Sequence, residues 1–313
     1  MKVLFVLRRN SKFGISPIIL RQGESLKKAG IDLSYFLITG KSWIAYIKGI
    51  FILRKYLKNN NFNIVHAHFS YSALAASLAG ASPLVVSLMG WNIQIWYLKR
   101  LILIFNKLFW DVCIVKSKKM HNVIKSINPL IIPNGVDLQT FHPIDNKIAQ
   151  EKIGWATDKK HILFAANPKR PIKNFDLTTR AIDLLKRSDL ELHVLDNVDP
   201  SLMVYYYNSA DVVVLSSIAE GSPNVIKEAM ACNIPIVSTD VGDVKERFDN
   251  VEGCFLSSFD PVDFANSITQ ALNYGKRTNS RSAVLSIEES TVAQKIKEVY
   301  ISVLNTYKPN VNK

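Results

Sequence analysis

Residues 216–243 read SSIAEGSPNVIKEAMACNIPIVSTDVGD, an order of residue types that predicts a strand end, a loop, a short helix, a tight stop and a second strand. The apolar run VVVLSS at 212–217 ends the strand near Ser217, which leaves Glu220 and Gly221 in the loop behind it. Ser222 suits the N-cap, and Pro223 suits the first helical position, where a backbone N–H would lack an intrahelical partner anyway. The helix is expected from Pro223 to about Cys232, closed by a left-handed Asn233 ahead of Pro235.

A strand, a helix and a second strand make the repeating unit of a parallel sheet, and the same alternation extends outward from this segment. Apolar runs at 3–7, 31–38, 64–68, 84–88, 113–117 and 130–133 form one set, and runs at 161–166, 191–196, 212–217, 234–240 and 253–257 form a second. IPNGVDLQTFHPID at 132–145 concentrates turn chemistry between them. With 313 residues, about twice a typical domain, the chain is expected to be α/β, with two Rossmann-like doubly wound domains, 1–143 and 144–286, facing across a cleft. A last helix at about 287–307 is expected to pack back on the first domain.

Lys and Arg number 39 against 26 Asp and Glu, and the surplus is one-sided. Residues 1–144 carry 19 basic and 4 acidic side chains, hence +15, whereas residues 145–313 carry 20 and 22, hence −2. The first half is therefore suited to an anionic partner: nucleic acid, an acidic membrane surface or a phosphate-bearing substrate. Cys113, Cys232 and Cys254 are too far apart in sequence for a zinc knuckle or redox pair, which fits a reducing, cytoplasmic setting. MKVLFVLRRN has too short an apolar run for a signal peptide, and Lys99 and Arg100 interrupt the most hydrophobic window, 91–110, so neither a leader nor a spanning helix is expected.

The amides at the start of the 223–232 helix, with the positive end of its dipole, make a seat for phosphate or sugar oxygens. Glu220 lies at the rim of that seat, and Glu228 lies about five residues inside the helix, ~7–8 Å along its axis at 1.5 Å per residue. An ionised carboxylate accepts from vicinal hydroxyls, so two at that separation suit a ribose and a hexose of one elongated ligand. The competing reading is that both acids only complement the helix dipole.

These residues carry a resemblance. EGSPNVIKE followed by AMACNIPIVSTDVGD resembles the nucleotide-binding signature of retaining GT-B glycosyltransferases of family 4. HAHFSYSALAA at 66–76, IPNGVDLQTFHP at 132–143, NPKRPIKNF at 167–175, YNSADVVVLSS at 207–217 and EGCFLSSFDPVDFANSITQAL at 252–272 agree in the same order, and several are similar to members that build polysaccharide and teichuronic acid. The resemblance implies that Glu228 holds the donor ribose and Glu220 the hydroxyls of the donor sugar. It implies that the amides of Gly221, Ser222, Pro223, Asn224 and Val225 line the sugar and diphosphate, Pro223 contributing backbone alone. Lys173 matches a diphosphate-neutralising lysine; the position of its usual partner falls on Pro168, which leaves Arg170 as the substitute, and a solvated loop is the alternative for both cations. The glycine-rich loop after the first strand reads RRNSKFGISP, with Gly14 alone of the usual pair. A common His-Gly-x-Asp segment appears as Met89-Gly90-Trp91-Asn92, so the role of that histidine does not transfer. His66, His68 and Asn92 are candidates for the acceptor side, with a satisfied core histidine as the alternative for one of the pair. Between Asp196 and Tyr207 the chain is shorter than such relatives, which leaves the base preference open.

The function implied is transfer of a sugar from a nucleotide-sugar donor to a glycan or polyprenyl-diphosphate-linked acceptor, with retention, in cell-surface polysaccharide synthesis. Lys173, Arg170 and the helix amides would stabilise the leaving diphosphate without a metal or other cofactor. If Trp43–Lys58 is helical, Lys48, Arg54, Lys55 and Lys58 fall in a sector of ~140° at 100° per residue, and Lys99, Arg100 and Lys107 form a similar stripe beside Trp91, Trp96 and Phe109. Both could rest on anionic lipid at the inner face of the plasma membrane, or each could be an ordinary flanking helix with one apolar face. An epimerase or hydrolase of the same fold is the second enzymatic reading, and a basic nucleic-acid binder the non-catalytic one. The latter lacks an RNP or helix-turn-helix signature, and no strand is followed by Gly-x-Gly-x-x-Gly, which disfavours a dehydrogenase.

Overall fold

A computed structural model describes residues 1–9, 14–40, 42–196 and 198–307. The chain divides into two compact units: Met1–Gly135 together with the described residues from Glu289 onward, and Val136–Glu288. The division comes earlier than Pro143, because Val136 already donates its amide to the carbonyl of Ile287 in the second unit.

The first unit holds β1 (Lys2–Arg8), β2 (Asp32–Ile38), β3 (Ile64–His68), β4 (Leu84–Ser87), β5 (Val112–Val115) and β6 (Leu130–Ile131), in the order β2-β1-β3-β4-β5-β6. All pairings are parallel. The second holds β7 (Lys160–Phe164), β8 (Leu190–Val194), β9 (Val212–Leu215), β10 (Ile236–Thr239) and β11 (Cys254–Ser257), also parallel, in the order β11-β10-β9-β7-β8. Parallel strands covered on both faces are apolar throughout rather than alternating, which is why Val3 to Leu7 and Val212 to Leu215 are all buried. The two Rossmann-like domains that the runs predict are therefore present.

In each sheet the chain's first strand has its second on one side and its third on the other. The strand order thus reverses between β1 and β3, and again between β7 and β9. Loops leaving the carboxyl ends of those pairs diverge, and the opening between them is where such sheets take ligands.

The last helix begins at Glu289, after a 3-10 segment Ser280–Ile287, and runs to Thr306 against helix Pro17–Lys28 of the first unit. Ser25 Oγ donates to the Glu289 carbonyl (2.9 Å) and Lys297 Nζ to the Ala29 carbonyl (2.7 Å). Tyr300, fully buried, reaches His66 on β3.

Candidate active site

The loops after β7 and β9 are fastened to each other beyond the reversal point of the second sheet. Ile218 N donates to the Ile172 carbonyl (2.9 Å), and the Ser216 hydroxyl lies 3.0 and 2.8 Å from the carbonyls of Lys173 and Asn174. Thr178 Oγ1 donates to Ser216 in turn (2.9 Å). A 3-10 turn, Pro171–Lys173, ends in left-handed Asn174, and this aims Lys173 across the gap. Its Nζ meets Glu220 Oε1 at 2.5 Å, and Ser217 Oγ donates to the same oxygen at 2.9 Å. Both side chains keep some access to solvent, 14% for Lys173 and 19% for Glu220, so a ligand can reach them. Arg170, three residues earlier in the same loop, is exposed.

The helix spans Asn224–Ala231 with Pro223 as its cap residue, so it starts one position later than expected. Ser222 does not cap it. Its hydroxyl donates to Asp243 Oδ2 (2.9 Å) and receives the ammonium of Lys227, and Asp243 also takes Arg247 Nε at 3.2 Å. Ser222 is thus tied up through its side chain, and only its backbone faces the role expected of it. Burial pushes the Lys227 ammonium down to about 8, with Asp243 opposing the shift. Glu228, 7% exposed, accepts from Tyr207 OH at 2.8 Å, which fixes its carboxylate on the helix face next to helix Met203–Ser209. Gly242 approaches so closely that a Cβ there would lie 2.9 Å from the Gly221 carbonyl, and its φ is +57°; a side chain is excluded on both counts. Tyr207, Lys227 and Asp243 were not singled out from sequence, since their partners come together only when β9, β10 and the intervening helix pack.

Among the described residues between β8 and helix Met203–Ser209 there is only a 3-10 turn, Pro200–Leu202. Asn233 is left-handed at φ +58°, as its place before Pro235 predicts. Cys113, Cys232 and Cys254 are unpaired.

The first unit corrects the histidine expectation. His66 and His68 are both fully buried, so neither presents its ring to a ligand surface. His66 is a satisfied core residue: Nδ1 lies 2.6 Å from Tyr300 OH and Nε2 2.8 Å from Ser87 Oγ. His68 stacks on His66 (ring centroids 4.3 Å apart) and meets Phe5 edge-on, and among the described residues neither of its nitrogens has a hydrogen-bond partner. Burial holds both imidazoles well below their ordinary pKa, with Lys116 adding to it. Asn92 sits half-buried in a 3-10 turn, Trp91–Gln94, directly after β4. Gly14 has φ +72°, a left-handed conformation that explains the glycine; residues 10–13 of the same loop lie outside the described residues.

Helices Trp43–Lys58 and Trp96–Phe109 are apolar on both sides. The first turns Gly49 and Leu53 inward, yet leaves Trp43 71%, Phe51 65% and Ile52 60% exposed, interleaved with exposed Lys48, Arg54, Lys55 and Lys58. The second buries Leu98 and Ile102 and exposes Trp96, Ile104 and Leu108 beside Arg100 and Lys107. Lys99 lies off that stripe, half-buried, contrary to the sequence expectation: at 100° per residue it falls well away from Arg100 and Lys107. Among the described residues no helix is long and apolar enough to cross a membrane.

Solved structures share this architecture. Sucrose-phosphate synthase from Thermosynechococcus elongatus superposes with a TM-score of 0.84 over 98% of this chain and 100% of that one, at 15% identity. The fold is GT-B. Within the GT-B chain, residues 19–140 match the family model described as Glycosyltransferase Family 4, and residues 189–274 match Glycosyl transferases group 1. Both halves are thus related to glycosyltransferases. A D-inositol 3-phosphate glycosyltransferase of Geodermatophilus obscurus is 29% identical over 46% of this chain, which spans 40% of that relative's length. The UDP-Gal:alpha-D-GlcNAc-diphosphoundecaprenol alpha-1,3-galactosyltransferase of Escherichia coli is 25% identical over 96% of this chain and 92% of its own. A putative teichuronic acid biosynthesis glycosyltransferase of Bacillus subtilis is 24% identical over 66% of this chain and 61% of its own.

Proposed function

We propose that the protein transfers a sugar from a nucleotide-sugar donor to a glycan or lipid-linked acceptor in the synthesis of a cell-surface polysaccharide. The observation that carries this reading is the juxtaposition of Lys173 and Glu220 at the β7/β9 reversal, with the start of helix Asn224–Ala231 beside them and Glu228 further along it. Lys173 and Glu220 are ion-paired with each other. On donor binding they exchange partners: Lys173, joined by Arg170, takes the diphosphate, and Glu220 turns to the hydroxyls of the sugar. Backbone amides of Gly221, Ser222, Asn224 and Val225 contribute positive potential, and Glu228, steadied by Tyr207, accepts from the ribose.

As the anomeric bond breaks, the departing diphosphate gains charge and the anomeric carbon becomes electron-poor. Fixed cations and amides aimed at that diphosphate lower the barrier without reorganising, which is why metal independence is expected. Retention requires the acceptor hydroxyl to attack from the face that the diphosphate leaves, passing its proton to a phosphate oxygen. The Escherichia coli relative, similar along nearly its whole length, favours a UDP-sugar and a diphosphate-linked polyprenyl acceptor as the first pair to test. The exposed aromatic and basic faces of helices Trp43–Lys58 and Trp96–Phe109 support a resting position on anionic lipid, where such an acceptor is found.

The assay is transfer of radiolabel from a UDP-hexose panel into an organic-extractable product on undecaprenyl-diphosphate-linked GlcNAc, with and without EDTA. Label in the lipid phase, unchanged by EDTA and released as the retained anomer, is expected. Free sugar formed at the same rate without acceptor would instead support the hydrolase reading.

A further inference from the structure

A cluster on the second sheet has no part in this account. His161 on β7 and Glu191 and His193 on the edge strand β8 are paired by register, His161 opposite Glu191, so their side chains emerge on one face. That face is opposite the one on which Ile162 and Phe164 pack, and His161 lies near the amino end of β7, away from the loop that carries Lys173. His161 Nδ1, His193 Nε2 and Glu191 Oε2 form a triangle with sides of 2.9, 3.6 and 3.6 Å. Two ligand atoms bound to one tetrahedral zinc at ~2.0–2.1 Å are separated by about 3.3–3.4 Å, close to the mean of these sides.

We propose that His161, Glu191 and His193 form a binding site for a divalent transition-metal ion, zinc above all, which joins β7 to the edge strand.

The surroundings carry the features of a metal centre rather than of a chance contact. His161 Nε2 lies 2.6 Å from the Ala156 carbonyl, an acceptor only, so that nitrogen carries the proton and Nδ1 offers its lone pair to the cluster. His161 is fully buried and Trp155 stacks flat on His193, ring centroids 3.5 Å apart, so two ligands are already held in position. With His161 Nδ1 accepting, His193 Nε2–H donates to it; metal binding requires that this proton move to Nδ1 of His193 or to solvent. Glu191, 41% exposed, closes the third corner and leaves a fourth position for water.

The test uses the full chain without a polyhistidine tag, titrated with cobalt(II) and followed by its visible absorption and by tryptophan fluorescence, since Trp155 lies in contact with one ligand. Wild type is expected to bind one equivalent with a tetrahedral spectrum and partial quenching, competed by zinc. His193→Gln and Glu191→Gln, both at partly exposed positions, are expected to weaken binding by at least about tenfold. Zinc is expected to raise the melting temperature of wild type and not of His193→Gln. Equal cobalt affinity in wild type and both variants, or binding by wild type without quenching, would overturn the proposal. The donor site plays no part in these readouts, so they stand whether or not the sugar-transfer reading holds.

Discussion

His66 and His68 stand two residues apart on β3 and point the same way, yet among the described residues only His66 finds hydrogen-bond partners. His66 is held between Tyr300 and Ser87, so His66→Phe strands two buried polar groups and is expected to cost about 1–3 kcal/mol. His68 loses no bond on becoming Phe, and that variant is expected within about 1 kcal/mol of wild type. Both rings are kept neutral by burial, so the unfolded chain takes up more protons than the folded one as pH falls. Stability from this source is fully present above pH 6.5 and is lost below it. Urea melts across that range should show a shallower acid loss for His68→Phe than for wild type; parallel curves would assign the loss to other groups. The sequence offered both histidines for a ligand surface because strand position does not reveal what the last helix, more than 200 residues away, brings onto the sheet.

Helix Asn224–Ala231 was legible at its end more than at its start. Asn233 stops it in the left-handed region, and also accepts the Arg281 amide through its side chain (2.8 Å). Asn233→Ala loses both and is expected to cost about 1–2 kcal/mol; Asn233→Gly keeps the backbone geometry, loses the acceptor and should fall between, as measured by thermal or chemical melts. The start was misread because Ser222 is drawn to Asp243, a residue that arrives only after the chain has crossed the sheet and returned along β10. A local rule cannot weigh that competitor. The same limit hid the His161, Glu191 and His193 cluster, which exists only in the register of β7 against β8.

At the scale of the whole molecule the alternation of apolar runs was enough to read two parallel sheets, since buried strands have nothing else to be. Part of the one-sided charge of residues 1–144 lies on the exposed faces of helices Trp43–Lys58 and Trp96–Phe109, as Lys48, Arg54, Lys55, Lys58, Arg100 and Lys107. Sedimentation with phosphatidylglycerol vesicles is expected to show binding that weakens steeply as salt rises. Replacing Trp43, Phe51 and Trp96 together by Ala should lower binding at least about tenfold; equal binding to neutral vesicles would contradict an electrostatic contribution. The claim on which the sugar-transfer reading depends is narrower: the loop entering helix Asn224–Ala231, with Lys173 opposite, holds a nucleoside diphosphate. Calorimetry of UDP and GDP with wild type, Lys173→Met and Glu228→Gln measures it directly. Saturable binding of one nucleotide per wild-type chain is expected, with a loss of about tenfold or more in each variant, the size of one charge-assisted hydrogen bond. Nucleotide binding of equal affinity in all three proteins would contradict it.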